Sequence, residues 1–352
     1  MSEAVNGKDN GEKRTETVKR LSAKANIISG ICALVCIVGG AAVANAGIYG
    51  IAAVIALWAF ASVACGIIFS FGSFAARIVP AVGIAASLLF GAEGVILAAL
   101  AVVSGAMIAL AVASRYRRFE TVLAMTLGVC MVLCCFFGIT VYRSAGELTA
   151  DSVNAYIAGA TENVESAYTT AIDTTYEALT LLGTLTPELE ERLLLLASPD
   201  MAQAVAKSFI ISLPAYVACA VTVLCYGISS VFLLMAEKTG NKVYAMRPFS
   251  VPLFMANVFI VCYFASIFIS AETAVGLLVY YFSVIFTPCF AYVGVKSIIA
   301  MLRNGAPAFI RVAAVIVCIA MLPLFTYLIT LLAFIGAYVV VRAASLRFIA
   351  KK

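Results

Sequence analysis

The stretch Arg115–Arg143, RYRRFETVLAMTLGVCMVLCCFFGITVYR, decides the fold. Three arginines in four residues are followed by a run of about 20 uncharged, mostly apolar residues, the length of a helix that crosses a bilayer. Immediately afterwards, from Ser144 to Ala206, the chain becomes acidic, with Glu147, Asp151, Glu162, Glu165, Asp173, Glu177, Glu188, Glu190, Glu191 and Asp200 against Arg192 alone. Basic residues on one side of an apolar run and carboxylates on the other orient the run. Positive loops stay in the cytosol.

Outward from that stretch the pattern repeats. The 352 residues are 64% hydrophobic and only 12% charged, whereas soluble domains carry about 25% charged residues. So much apolar surface cannot be hidden in a water-soluble core. In hydrocarbon every backbone polar group must be satisfied internally, which leaves helices or a closed barrel. Continuous apolar runs, rather than short alternating strands, select helices. The reading is an all-α, polytopic transmembrane helix bundle of about ten spans with an extracytoplasmic helical insertion. The spans lie at about 25–46, 49–70, 78–90, 95–114 after the turn Gly91-Ala92-Glu93-Gly94, 120–142, 209–235, 251–269 and 274–301, with a hairpin over Pro307–Val341 turning near Leu322-Pro323. All but three of the 23 Lys and Arg residues then face the cytosol, the exceptions being Arg143, Arg192 and Lys207. A single crossing over 78–114 or 307–341 would break that rule. Two crossings each are preferred to a re-entrant segment or one long tilted helix.

Four regions follow: a disordered cytosolic tail at 1–24, an N-terminal transmembrane half at 25–143, the acidic segment at 144–206 and a C-terminal transmembrane half at 207–348. The tail is too polar for a signal peptide. Both termini are expected in the cytosol and the protein in the plasma membrane. In the acidic segment an apolar stripe, Val153, Ile157, Ala160, Val164, Tyr168, Ile172, Tyr176, Leu179 and Leu182, recurs about every 3.6 residues and predicts an α-helix. Gly183 ends it. Thr186-Pro187-Glu188 predicts an N-cap with Pro at N1 and a second helix over Glu188–Leu196. Ser198-Pro199-Asp200 repeats the signal before the next span. The stripe packs on the bundle or lies in the lipid interface; alternatively it forms a lid over an outward cavity or a docking surface.

The absence of His removes the commonest general base and metal ligand. No phosphate-cradling glycine loop is present, so transport would need a partner ATPase or an ion gradient. No catalytic residue, metal ligand or cofactor is assigned, and the chain is not read as an enzyme. The 11 Cys lie almost wholly in apolar runs. Cys32/Cys36 and Cys130/Cys134 have the spacing of a soft-metal pair, but Cys as a small packing residue is the preferred reading. The ligand-binding candidates are Glu93, in a turn after a span short enough to submerge it; Asn257, mid-span; and Thr287-Pro288, which breaks a helix near its centre. Ala52/Ala56 have small-xxx-small spacing for close helix approach, either internally or against another membrane subunit. The partners expected are the lipid bilayer and other membrane subunits, and the acidity of the exposed segment discourages nucleic acid.

The layout carries one resemblance. Arg115-Tyr116-Arg117-Arg118-Phe119-Glu120, Leu213-Pro214, Glu237-Lys238-Thr239-Gly240, Met246-Arg247-Pro248-Phe249-Ser250-Val251-Pro252, Leu322-Pro323 and the tail Arg342 to Phe348 resemble the bacterial membrane proteins of the YybS type. These are in turn distantly similar to the substrate-binding S components of energy-coupling-factor transporters and to the rod-shape protein MreD. The resemblance implies a bacterial multi-pass protein that binds a small molecule or serves as a transport component without its own ATPase. The alternative is a non-transporting envelope scaffold in cell-wall or division machinery. The sidedness is testable directly: green fluorescent protein fused after Lys352 is expected to fluoresce and alkaline phosphatase there to be inactive, and the opposite result inverts the map.

Overall fold

The computed structural model describes residues 19–45, 50–244, 246, 249–270, 273–303 and 325–349. Most of the predicted tail, Glu272, Cys318 and the Leu322-Pro323 turn lie outside the described residues. Every described element is helical: α1 Ala23–Asn45, α2 Ile51–Phe71, α3 Phe74–Ser87, a 3-10 turn Leu88–Phe90, α4 Gly91–Ala113, α5 Arg118–Ala145, α6 Ala150–Leu181, α7 Pro187–Leu196, α8 Pro199–Lys238, α9 Leu253–Phe268, α10 Ala274–Arg303 and α11 Phe325–Ile349. Seven helical stretches among them are long and apolar enough to cross a membrane, and α9 is a shorter apolar helix. Large apolar side chains stand exposed along their length, such as Ile27, Ile31 and Val35 on α1. Helices apolar on every face need lipid, not water, around them. The protein is therefore a membrane-embedded, multi-pass helical protein.

The chain forms two compact units, Met1–Val129 with Leu224–Ser250, and Cys130–Val223 with Val251–Lys352. In the first, Leu21 N–H donates to the Phe71 carbonyl at 3.0 Å and Ser73 N–H to Asn26 Oδ1 at 3.0 Å. The starts of α1 and α3 and the end of α2 thus meet. Further along, Gly30 faces Val79 and Gly83 faces Ile37, so α3 runs beside α1 in the same direction. Gly94 then lies against Ala41, and α4 returns beside α2 with Gly105 on Cys65 and Gly66 on Ile108. At the end where α1 begins, Phe71 stacks on Phe232 at 6.2 Å and Lys19 N–H donates to buried Asn241 at 2.7 Å. The described basic residues of this unit, from Lys19 to Lys242, gather there.

Two expectations are corrected. The third helix starts at Phe74, not Ile78, because Ser73 caps it by accepting from Ala76 N–H. The turn after it falls at Leu88–Gly91, where Gly91 adopts φ +78°, a conformation that favours glycine. Glu93 consequently sits inside the first turn of α4 rather than in a loop. Ala52 and Ala56 are exposed, which leaves the second of their two readings, a face toward another membrane subunit; the close approaches inside this unit fall at Gly66 and Gly105.

In the second unit the polar segment folds as its caps predict. Thr149 and Ser152 form a capping box at the start of α6. Gly183 follows its end at φ +65°, and Thr186 caps α7 with Pro187 at its first position. Tyr176 on α6 donates to Glu190 Oε1 on α7 at 2.9 Å, which raises the phenol above its ordinary pKa. The predicted stripe coincides with the less exposed face of α6, although only Ser152 on that helix is fully buried. Helices α9, α10 and α11 pack through Phe259, Phe290, Tyr263 and Phe334, with ring centroids 4.6 Å apart for Phe259–Phe290 and 4.7 Å for Tyr263–Phe334. There α10 and α11 cross backbone to backbone. A Cβ on Gly336 would collide with the Phe290 carbonyl, and one on Gly294 with the Leu332 carbonyl.

That crossing makes a prediction of opposite signs. Gly→Ala inside a helix ordinarily gains roughly 0.5–1 kcal/mol, and Gly227→Ala on α8, which meets open space, should show no loss. Gly336→Ala should lose roughly 1–3 kcal/mol through overpacking. Thermal unfolding in detergent checks both; equal behaviour of the two variants contradicts the backbone crossing.

Candidate functional site

The second unit holds a groove of about 470 Å³ between α6 and the first half of α8. One wall is the face of α6 formed by Asn154, Ile157, Ala158, Thr161, Glu162 and Glu165, spaced at i, i+3, i+4, i+7, i+8 and i+11. Such spacing places all six along one side of a helix. The other wall is Gln203, Lys207, Ile210 and Ile211 of α8, again in helical register. Isoleucines from both walls make an apolar floor, and carboxylates, an ammonium and two amides stand above it.

Just past the groove, Pro214 lies inside the 40-residue α8; its missing N–H leaves the Ile210 carbonyl without the usual donor. One residue on, Tyr281 of α10 donates its hydroxyl to the Ile211 carbonyl at 2.8 Å. That hydroxyl braces α8 against α10 beside the groove.

Chemically the lining can bind but has no evident means of attack. Thr161 Oγ1 donates to the Ile157 carbonyl at 2.9 Å, as a helix threonine does when it has no other task. Glu162 and Glu165 accept N–H donors, Gln203 and Asn154 do both, and Lys207 donates. No cluster of three or more His, Cys, Asp or Glu suited to a metal occurs among the described residues. No protein-family model matches this chain. Nor does any curated protein or solved structure.

The residues singled out from sequence lie elsewhere. Glu93 is exposed, in the first unit. Asn257 is exposed on α9, beside but not on the buried face that carries Ala256 and Phe259. Thr287 is half-buried on α10 and donates to the Ser283 carbonyl at 2.8 Å, next to Pro288 within the helix. Asn257 and Thr287 share a unit with the groove but do not line it. Asn154, Thr161, Gln203, Ile210 and Ile211 do line it and were not singled out. Their signal was the polar edge of the α6 stripe together with the Leu213-Pro214 step, which matter only once α6 and α8 are known to pair.

Removing the brace tests the arrangement of the floor. Tyr281→Phe should cost about 0.6 kcal/mol, the average for a side-chain hydrogen bond between membrane helices, seen as a lower melting temperature in detergent; an unchanged midpoint argues that the hydroxyl holds nothing.

Proposed function

We propose that this is a bacterial plasma-membrane protein of about ten crossings with cytosolic termini, in which α6, α7 and the first turns of α8 form an extracytoplasmic cap. The cap binds a small molecule as the recognition component of a transport system and lacks an ATPase of its own. The observation that carries this reading is the α6/α8 groove. Its volume falls in the range of roughly 300–1,000 Å³ typical of ligand sites, and it has their character, an apolar floor with a few placed polar groups. Glu162 and Glu165 on one wall select a ligand with an ammonium or comparable cationic head and an apolar body.

The ten-crossing topology draws support from the first unit. There α3 travels with α1 and α4 returns, so 74–113 accommodates two crossings, and the basic residues from Lys19 to Lys242 collect at a single end. The resemblance of the layout to the YybS type, and through it to transporter S components, points the same way. A second reading, a non-transporting envelope scaffold in cell-wall or division machinery, is favoured by a different observation. Leu181, Leu182, Leu194 and Leu195, at the ends of α6 and α7, are each more than 60% exposed, and apolar residues concentrated at the tip of a polar segment suit a protein partner.

The two readings separate on the purified full-length protein. Thermal-shift and calorimetric titration with a panel of small primary and quaternary amines should reveal at least one that stabilises the protein, and Glu162→Gln/Glu165→Gln should weaken its binding at least tenfold. Binding unaffected by the double variant, or no stabilising amine together with stoichiometric co-purification of an envelope protein, overturns the first reading for the second.

A further inference from the structure

Arg118 opens α5 and is half-buried in the first unit. Its guanidinium carbon lies 4.3 Å from the centre of the Tyr226 ring, Nε lies 3.4 Å from Ser229 Oγ, and Nη2 donates to Ser230 Oγ. Both serine hydroxyls spend their own protons on the Tyr226 carbonyl, at 2.8 and 2.7 Å, which leaves their lone pairs to the arginine. The Tyr226 ring is fixed in turn by an edge contact with Phe249 at 5.4 Å, and Phe249 meets Phe119 at 6.1 Å. The side chain is thus held in a cradle of rings and hydroxyls in which each of its described partners is uncharged.

A guanidinium cannot shed its proton and offers five N–H donors in a planar fork. Partial burial of that charge without an anion is costly. No carboxylate is among the described partners of Arg118. Glu120 accepts from the Arg117 backbone N–H at 2.9 Å. Two further arginines stand in the same turn. Arg117 and Arg115 are exposed, and Arg115 holds φ +55° at the end of α4. There Tyr116 N–H returns to the Ala111 carbonyl at 2.9 Å and Arg115 N–H to the Val112 carbonyl at 3.3 Å. Glycine is the usual occupant of that position.

We infer that Arg118, with Arg117 beside it, binds a phosphate oxyanion, and that the diester headgroup of an acidic membrane phospholipid supplies it. Phosphate oxygens match the bidentate geometry of arginine, and acidic lipids present them at the membrane surface where basic turns lie. This site is independent of the α6/α8 groove.

The test uses the full chain in detergent. After mixed-lipid incubation, native mass spectrometry compares retention of phosphatidylglycerol with that of phosphatidylcholine, and thermal shift compares short-chain phosphatidylglycerol with inorganic phosphate. Wild type should retain phosphatidylglycerol at least tenfold over phosphatidylcholine. Arg118→Gln should abolish the preference, and Arg118→Lys should keep a measurable part of it. Stabilisation by short-chain phosphatidylglycerol but not by inorganic phosphate assigns the lipid as the source; equal stabilisation by both assigns soluble phosphate to the same arginines. Equal retention of the two lipids by wild type overturns the inference even if Arg118→Gln fails to fold, and an unaltered preference in a folded Arg118→Gln overturns it directly.

Discussion

The rest of this structure depends on one constraint: inside hydrocarbon no water is available to complete a backbone hydrogen bond. It makes each apolar span a helix, and it also disposes of most polar side chains within the spans. Ser62 donates to Trp58 O at 2.7 Å, Ser104 to Leu100 O at 2.7 Å and Thr222 to Ala218 O at 2.8 Å, each one turn back on its own helix. Thr287 does the same. These four hydroxyls are already satisfied before any ligand arrives, whereas Ser70 Oγ and Trp58 Nε1 on α2 are buried without a partner; a hydroxyl at depth is by itself weak evidence for a site.

With lipid as the surroundings, burial of apolar surface does little to hold one helix against another, since tails are as apolar as leucine. Contact has to come from close packing. In the first unit it falls where glycine admits a neighbour, Gly105 against Cys65 and Gly83 against Ile37; in the second it is the Gly294–Gly336 crossing and the ring cluster beside it. These positions govern helix direction as well. Because Gly30 meets Val79 and Gly94 meets Ala41, α3 and α4 are a pair of oppositely directed helices although hydropathy runs through them without a break.

What could be read from sequence follows from the same physics. In the polar segment, water competes for backbone groups, so helix ends need caps, and the caps are visible: Thr186-Pro187 and Gly183 mark the ends of α7 and α6 to within a residue or two. In apolar runs few such marks are needed. Ser73 was overlooked as a cap, α8 passes without interruption from the acidic segment through its span to Lys238, and the Gly294–Gly336 contact leaves no trace beyond two ordinary glycines. The groove is legible in sequence to the same limited degree. Glu93 and Asn257 stand out because they are polar among apolar neighbours, which is a property of one helix. The groove is a property of two helices some 45 residues apart along the chain, and periodicity reports faces without reporting which faces meet.

Where span hydroxyls bond within their own helices, the groups that still have something to offer are the charges left facing outward. On α6 these are Glu162 and Glu165, which line the groove with isoleucines of α6 and α8. In the first unit it is the fork of Arg118, steadied by Tyr226, Ser229 and Ser230 but neutralised by none of them. The two are of opposite charge and belong to different compact units. Arg118 is partly covered, and a covered charge with no counter-charge is a net cost. Its retention, steadied by rings and hydroxyls, is the arrangement expected when the counter-charge comes from outside the chain, the role proposed for an oxyanion.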